Sequence, residues 1–278
     1  MRRPDDVRPR RRPRRLSAPP APSSRVSLAR ALSKFGVCSR KEAVRWIADG
    51  RVGVGGAIEV SPERWIDPRH DRVTVDGRAV GDPTERIVLA FHKPAGLLTT
   101  RVDPAGRPTI YSALGDVGRW VFPVGRLDRD TSGLLILTND HRLGHRLTDP
   151  EHRVPKTYHA RVTGIPEEPA LAALRAGVVL PDGTATRSSR VRLLGTGRDG
   201  TSWLEIVLTE GKNRQVRRMC AAVGHDVREL VRVRIGGLAL DDLAPGAWRR
   251  LDEHEIAALE NGRSTSRNSS SSPLRGGG

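Results

Sequence analysis

The stretch VGRLDRDTSGLLILTND, Val124 to Asp140, sets Arg126, Asp128, Arg129 and Asp130 within five residues and then runs into LLIL. A short continuous apolar run, bounded by Ser132-Gly133 and Asn139-Asp140, reads as a buried strand. The charged residues therefore sit on a loop at the strand's mouth. Asp128-x-Asp130-x-Ser132-Gly133 imitates the start of a calcium loop. That loop needs a bidentate Glu at its twelfth position, which here is Asn139, and a helix behind it rather than LLIL. Two readings stay open. Neighbouring opposite charges can simply solvate a loop. Alternatively, an aspartate flanked by arginines is a nucleophile. A free aspartate, with a pKa near 3.9, is ionised at pH 7 without an activating base, and a nearby cation keeps it so where water is excluded.

Outward from this stretch, IVLAFHKP, VFPVG, TYHARVTG, RSSRVRLLG and TSWLEIVLT also read as strands, and LAALRAGV and QVRRMCAAVG as helices. The elements lack the regular alternation of a parallel sheet, which predicts an α+β catalytic-sized domain over residues 84–260 with a mainly antiparallel or mixed sheet. Alternation in RELVRVRIGG suggests that several of its arginines face solvent on a strand.

Residues 25–83 read as a small separate domain, joined to the larger one by GDPTE. Leu28, Ala31, Leu32 and Phe35 give one helical stripe that ends at Gly36. Ser39 and Glu42 form a capping box for a second helix. Lys41 and Arg45 share a face of that helix, with Arg40 beside them at its positively polarised start. They read either as a solvated face or as an RNA contact. Short strands follow, RVGV, ERWI and DRVTVDG, with turns at Gly55-Gly56 and Asp76-Gly77.

Residues 1–24 carry eight Arg against two Asp and six Pro, the composition of a disordered basic arm, and 261–278 form a Ser/Gly-rich tail. The whole chain of 278 residues has a net charge of +16, which calls for a polyanionic partner. Five of its 48 basic residues are lysine: Lys34, Lys41, Lys93, Lys156 and Lys212. No apolar run reaches the length of a membrane span, and the N-terminal charges lack the apolar core of a secretory signal. Cys38 and Cys220 stand far apart, as in a reducing cytoplasm, and make no zinc motif. His141 and His145 could share a helix face as metal ligands do, but no third ligand is evident nearby, so no metal is expected.

Four words in order, HKPAG (His92–Gly96), GRLDRDTSGLLILTND, KTY (Lys156–Tyr158) and EGKNRQVRRM (Glu210–Met219), resemble the RsuA/RluB/RluE/RluF family of bacterial ribosomal RNA pseudouridine synthases. The word SRKEAVRWIADGRVGVGG, Ser39 to Gly56, resembles the S4 RNA-binding domain that precedes the catalytic domain in that family. The resemblance runs from about Val26 to Leu259. It implies isomerisation of a ribosomal uridine in the cytoplasm by a monomer that acts on rRNA or a pre-ribosomal subunit. No membrane, metal or nucleotide cofactor is involved, since isomerisation gains and loses no atoms.

Carried over, the resemblance makes Asp128 the catalytic aspartate. Tyr158 becomes the base-stacking tyrosine, with a strand-core role as its alternative. Arg217 becomes the salt-bridge partner of Asp128, with a phosphate contact as its alternative. Arg126 would fill the space left by the flipped uridine. Arg129 and Asp130 would shape the loop, and Lys93 and Pro94 a nearby turn. Arg40, Lys41, Arg45 and Arg51 in the small domain, and Lys212, Arg214 and Arg218 in the large one, would contact RNA. NRQVRRMC resembles large-subunit enzymes, whereas RIGGLALDDLAPG also resembles the small-subunit type, and the reading leans to the large subunit. The competing reading is a non-catalytic S4-type RNA-binding or ribosome-assembly protein.

Overall fold

The computed structural model describes residues 25–80, 86–115 and 117–261. The basic arm, the GDPTE linker and the Ser/Gly-rich tail beyond Asn261 lie outside the described residues. The described chain falls into two compact units, one of residues 25–31 and 40–80, the other of 32–39 and 86–261.

The smaller unit holds the start of the helix Leu28–Lys34 and all of the helix Arg40–Ala48. Its four-stranded antiparallel sheet has the order Ala57–Ile58, Val52–Val54, Val73–Val75, Arg78–Val80. Val52 and Val54 alternate inward, as do Val73 and Val75, and Ala43 and Ile47 of the second helix are buried too. The two hairpins turn at Gly55-Gly56 and at Asp76-Gly77, all four residues having positive φ. That is the pairing a two-residue hairpin demands.

The larger unit is built on a nine-stranded sheet. Its main path runs Arg190–Thr196, Thr201–Leu208, Lys156–Thr163, Val227–Ile235, Ser132–Thr138, Val88–Lys93, Trp248–Arg250. Every pairing is antiparallel except that between Val227–Ile235 and Ser132–Thr138. The sheet is thus mixed, as expected.

The LLIL run is continuous because its strand is covered on both faces. Leu135 and Leu137 join a core with Leu89, Phe91, Ile110 and Leu127. Leu134 and Ile136 face another core, with Leu143, Leu147, Ile256 and Leu259. The latter residues come from the helices His141–Thr148 and Glu253–Asn261. Asp140 caps the first of these by accepting from the backbone N–H of Arg142 and Leu143. The helices Ile110–Leu114 and Glu253–Asn261 and the strand Trp248–Arg250 were not evident in the sequence.

Among the described residues no helix is long and apolar enough to cross a membrane.

Candidate active site at the Asp128 loop

The loop that carries Asp128 enters the strand Ser132–Thr138 through Gly133, whose φ is +109°. A Cβ at Gly133 would lie 2.5 Å from the backbone nitrogen of Arg232 and closer still to its carbonyl oxygen. Glycine is required here because the parallel neighbour, with Arg232 in register opposite Gly133, presses its backbone against the loop's exit.

A buried lysine holds the loop from inside. Lys93 ends the strand Val88–Lys93 fully inaccessible to water. Its ammonium donates to the carbonyls of Pro94 (3.0 Å), Asp128 (3.1 Å), Arg129 (3.4 Å) and Thr131 (2.8 Å). Burial pushes this ammonium down to about 8, while the charges of Asp130 and Asp128 pull the other way. The Thr99 hydroxyl donates to Leu127 O, and Gly96 N–H to Arg129 O, at 2.7 Å each. The HKPAG word therefore sets the loop's shape, and Lys93 does more than form a turn.

The two aspartates have separate environments. Asp130 accepts two parallel hydrogen bonds of 3.0 Å from Arg214. Arg217 donates to the Asp130 main-chain oxygen at 2.9 Å and stands 3.3 Å from its carboxylate. Arg214 in particular holds the Asp130 carboxyl below the usual carboxylate range. Asp128 turns instead into the neighbouring cleft, where its one ion-pair contact among the described residues is Arg214 at 4.0 Å.

The expected Arg217–Asp128 bridge is thus corrected. The turn from Asp128 to Thr131, closed by Thr131 N–H to Asp128 O, presents Asp130 to the helix Gln215–Ala222. Arg217 is spent on Asp130 and on Val227 O.

The cleft encloses about 470 Å³ and brings together Arg126, Asp128, Lys156, Tyr158, Arg214 and Arg232. Arg126 is exposed at its edge. Lys212 is also in the wall, bound to Glu210 at 2.6 Å. Arg218 is not in the wall and pairs with Asp182 at 2.6 Å. In the smaller unit, Arg40, Lys41 and Arg45 are exposed and make no ion pair among the described residues. Arg51 is bound to Asp76 and stacks 4.7 Å above Trp46.

Arg232 departs most from expectation. Alternation suggested solvent-facing arginines, yet Arg232 is 4% exposed. A register shift between Tyr158 and Thr157 leaves Val233 unpaired. This bulge separates Arg232, opposite Tyr158 on the cleft side, from Arg234, opposite Thr157 on the other. Lys156 also lines the cleft, and burial, then the charge of Arg232, pushes it down to about 8. Of the two histidines weighed as ligands, His141 stacks on Phe122 at 4.5 Å. His145 is grouped instead with Asp149 and His152, their donor atoms within 4.8 Å of one another and largely exposed.

An acid-bearing loop on a rigid strand, facing a basic cleft with an aromatic wall, defines an enzyme that works on a polyanion. Residues 87–222 match the family described as RNA pseudouridylate synthase. An uncharacterized RNA pseudouridine synthase of Aquifex aeolicus is 39% identical over 84% of this chain and 93% of that protein. The ribosomal large subunit pseudouridine synthase B of Bacillus subtilis is 35% identical over 84% of this chain and 94% of its own length. A crystal structure of a pseudouridylate synthase superposes with a TM-score of 0.61 at 29% identity, covering 84% of this chain and 99% of that one. The chain belongs to the RNA pseudouridine synthase family and is an isomerase of RNA uridine.

Proposed function

We propose that this enzyme isomerises a uridine of ribosomal RNA, in the large subunit, with Asp128 as the catalytic group. The observation that carries the reading is the division of labour on the loop. Asp130 takes both arginines, which leaves the Asp128 carboxylate facing the cleft. The relatives named for large-subunit synthase B support the choice of RNA.

The target uridine flips out of the RNA at a cost of about a few kcal/mol and enters the cleft. Tyr158 stacks on the base, its hydroxyl free of partners among the described residues, and exposed Arg126 fills the gap left in the RNA. Asp128 then either adds to C1′ or removes the C2′ proton; both routes break the C1′–N1 bond and rejoin C1′ to C5. Arg217 acts at one remove by fixing Asp130 and so the loop, while Arg214 and Lys212 meet the RNA backbone. The smaller unit, which falls within the domain read as residues 25–83, serves as the S4 domain, with Arg40, Lys41 and Arg45 on phosphates. Arg51, already paired with Asp76, shapes the strand entry. The enzyme works as a monomer in the cytoplasm on rRNA or a partly assembled subunit.

The test is to incubate the enzyme with naked large-subunit rRNA, naked small-subunit rRNA and partly assembled subunits, and to map pseudouridine by nuclease digestion and nucleoside chromatography. Formation at one large-subunit position is expected. Formation confined to small-subunit rRNA would overturn the choice of substrate.

A further inference from the structure

Arg232 and Lys156 are two cations on adjacent strands, opposite Tyr158 and Ile235 respectively, and both line the cleft. Arg232 is 4% exposed, its Nε donates to Leu134 O at 2.8 Å, and its Nη2 is buried with no partner among the described residues. The Lys156 side chain makes no hydrogen bond or ion pair among the described residues. The carboxylates of the cleft do not neutralise this pair. Among the described residues Asp128 has its one ion contact with Arg214. Glu210 is engaged by Lys212 and by the side-chain nitrogen of Gln215, each at 2.6 Å, and by Arg187 N–H at 2.9 Å. A buried cation without an anion is costly, and a site that sets buried Arg232 beside half-buried Lys156 is built for an anion that arrives with the substrate.

We propose that Arg232 and Lys156 form a cationic subsite that holds the uracil anion released when the glycosidic bond breaks. The inference rests on the reading of this cleft as the uridine site. The bond's electron pair leaves with N1, and the negative charge spreads onto O2 and O4. It is discharged when C5 bonds to C1′; the C5 proton then departs as N1 gains one, which leaves the neutral product. Between those events the base carries a full charge away from water, and donors fixed in advance stabilise it without reorganising.

Depth decides between base and phosphate as the anion. A flipped nucleotide enters base first, so its phosphate stays at the mouth with exposed Arg126 and Arg214. Buried Arg232 and half-buried Lys156 meet the base. The bulge at Val233 serves this arrangement, since it places Arg232 on the cleft side while letting Arg234 leave it.

The experiment compares single-turnover consumption of uridine and of 5-fluorouridine at the target position of one RNA, by wild type, Arg232→Gln, Arg232→Lys and Lys156→Gln. Fluorine at C5 withdraws charge and makes the base a better anion without help from the protein. Arg232→Gln should slow uridine on the order of 10²-fold and 5-fluorouridine at least about ten-fold less. RNA affinity should stay within about two-fold, and Arg232→Lys should recover part of the rate. Equal slowing of both substrates would overturn the proposal in favour of a structural role. Weakened RNA binding with a shallower salt dependence and an unchanged substrate ratio would overturn it in favour of a phosphate contact. If Arg232→Gln does not fold, the same ratio in Lys156→Gln decides. Wild type inactive on uridine would instead count against the function assigned to the cleft.

Discussion

Arg214 clasps Asp130 through two hydrogen bonds of 3.0 Å and comes only to 4.0 Å from Asp128, two residues earlier on the same loop. One guanidinium thus ties the loop down by one aspartate while leaving the other facing the cleft. Asp130→Asn should therefore lower kcat by about 10- to 100-fold through misplacement of the loop, with RNA affinity little changed. Asp128→Asn should abolish turnover. Single-turnover assays of both variants, with RNA binding measured in parallel, check the difference.

Gly133→Ala tests the close approach of two backbones. The added methyl would overlap the Arg232 peptide, and φ of +109° is strained for alanine. The expected loss exceeds about 4 kcal/mol, read as a fall in the urea midpoint or as failure to recover folded protein. A stability equal to wild type would show that the neighbouring strand yields easily.

Lys93→Met removes a donor to four loop carbonyls and should lower kcat more than it raises KM. It also has a signature in stability against pH. Folded Lys93 titrates near 8, whereas in an unfolded chain lysine titrates near 10.4. Between those values the unfolded state binds more protons, so wild-type stability should rise with pH across that window. Lys156, also near 8, adds a second such contribution. Urea midpoints from pH 7.5 to 10.5 should show a shallower rise in Lys93→Met.

Replacing Arg40, Lys41 and Arg45 together by alanine tests the helix of the smaller unit. If all three meet phosphates, the slope of log affinity against log salt should fall by about 2. The uridine chosen should not change, which mapping on the same rRNA checks.

How much of this was legible beforehand depended on whether the pattern was local. LLIL announced its strand because two-sided burial needs an unbroken apolar run, and the hairpin turns were written in Gly55-Gly56 and Asp76-Gly77. Arg232 was misjudged because its placement depends on a bulge in the pairing with another strand, which period-two alternation cannot express. Lys93 was legible as part of a motif, but its four carbonyl partners come mostly from a loop some 35 residues later. The partner of Arg217 was misassigned for a similar reason. Sequence places two aspartates two positions apart and says nothing of which one the loop turns toward the helix. The helix Glu253–Asn261 confines its apolar residues to the short run Ile256–Leu259, flanked by charge, and Ile256 and Leu259 join the core.

The most direct measurement is release of tritium from rRNA labelled at uridine C5, by wild type and by Asp128→Ala. The C5 hydrogen leaves only when C5 takes the sugar. Release by wild type and none by Asp128→Ala is the predicted result. Equal release by both would contradict the assignment of Asp128 as the catalytic group.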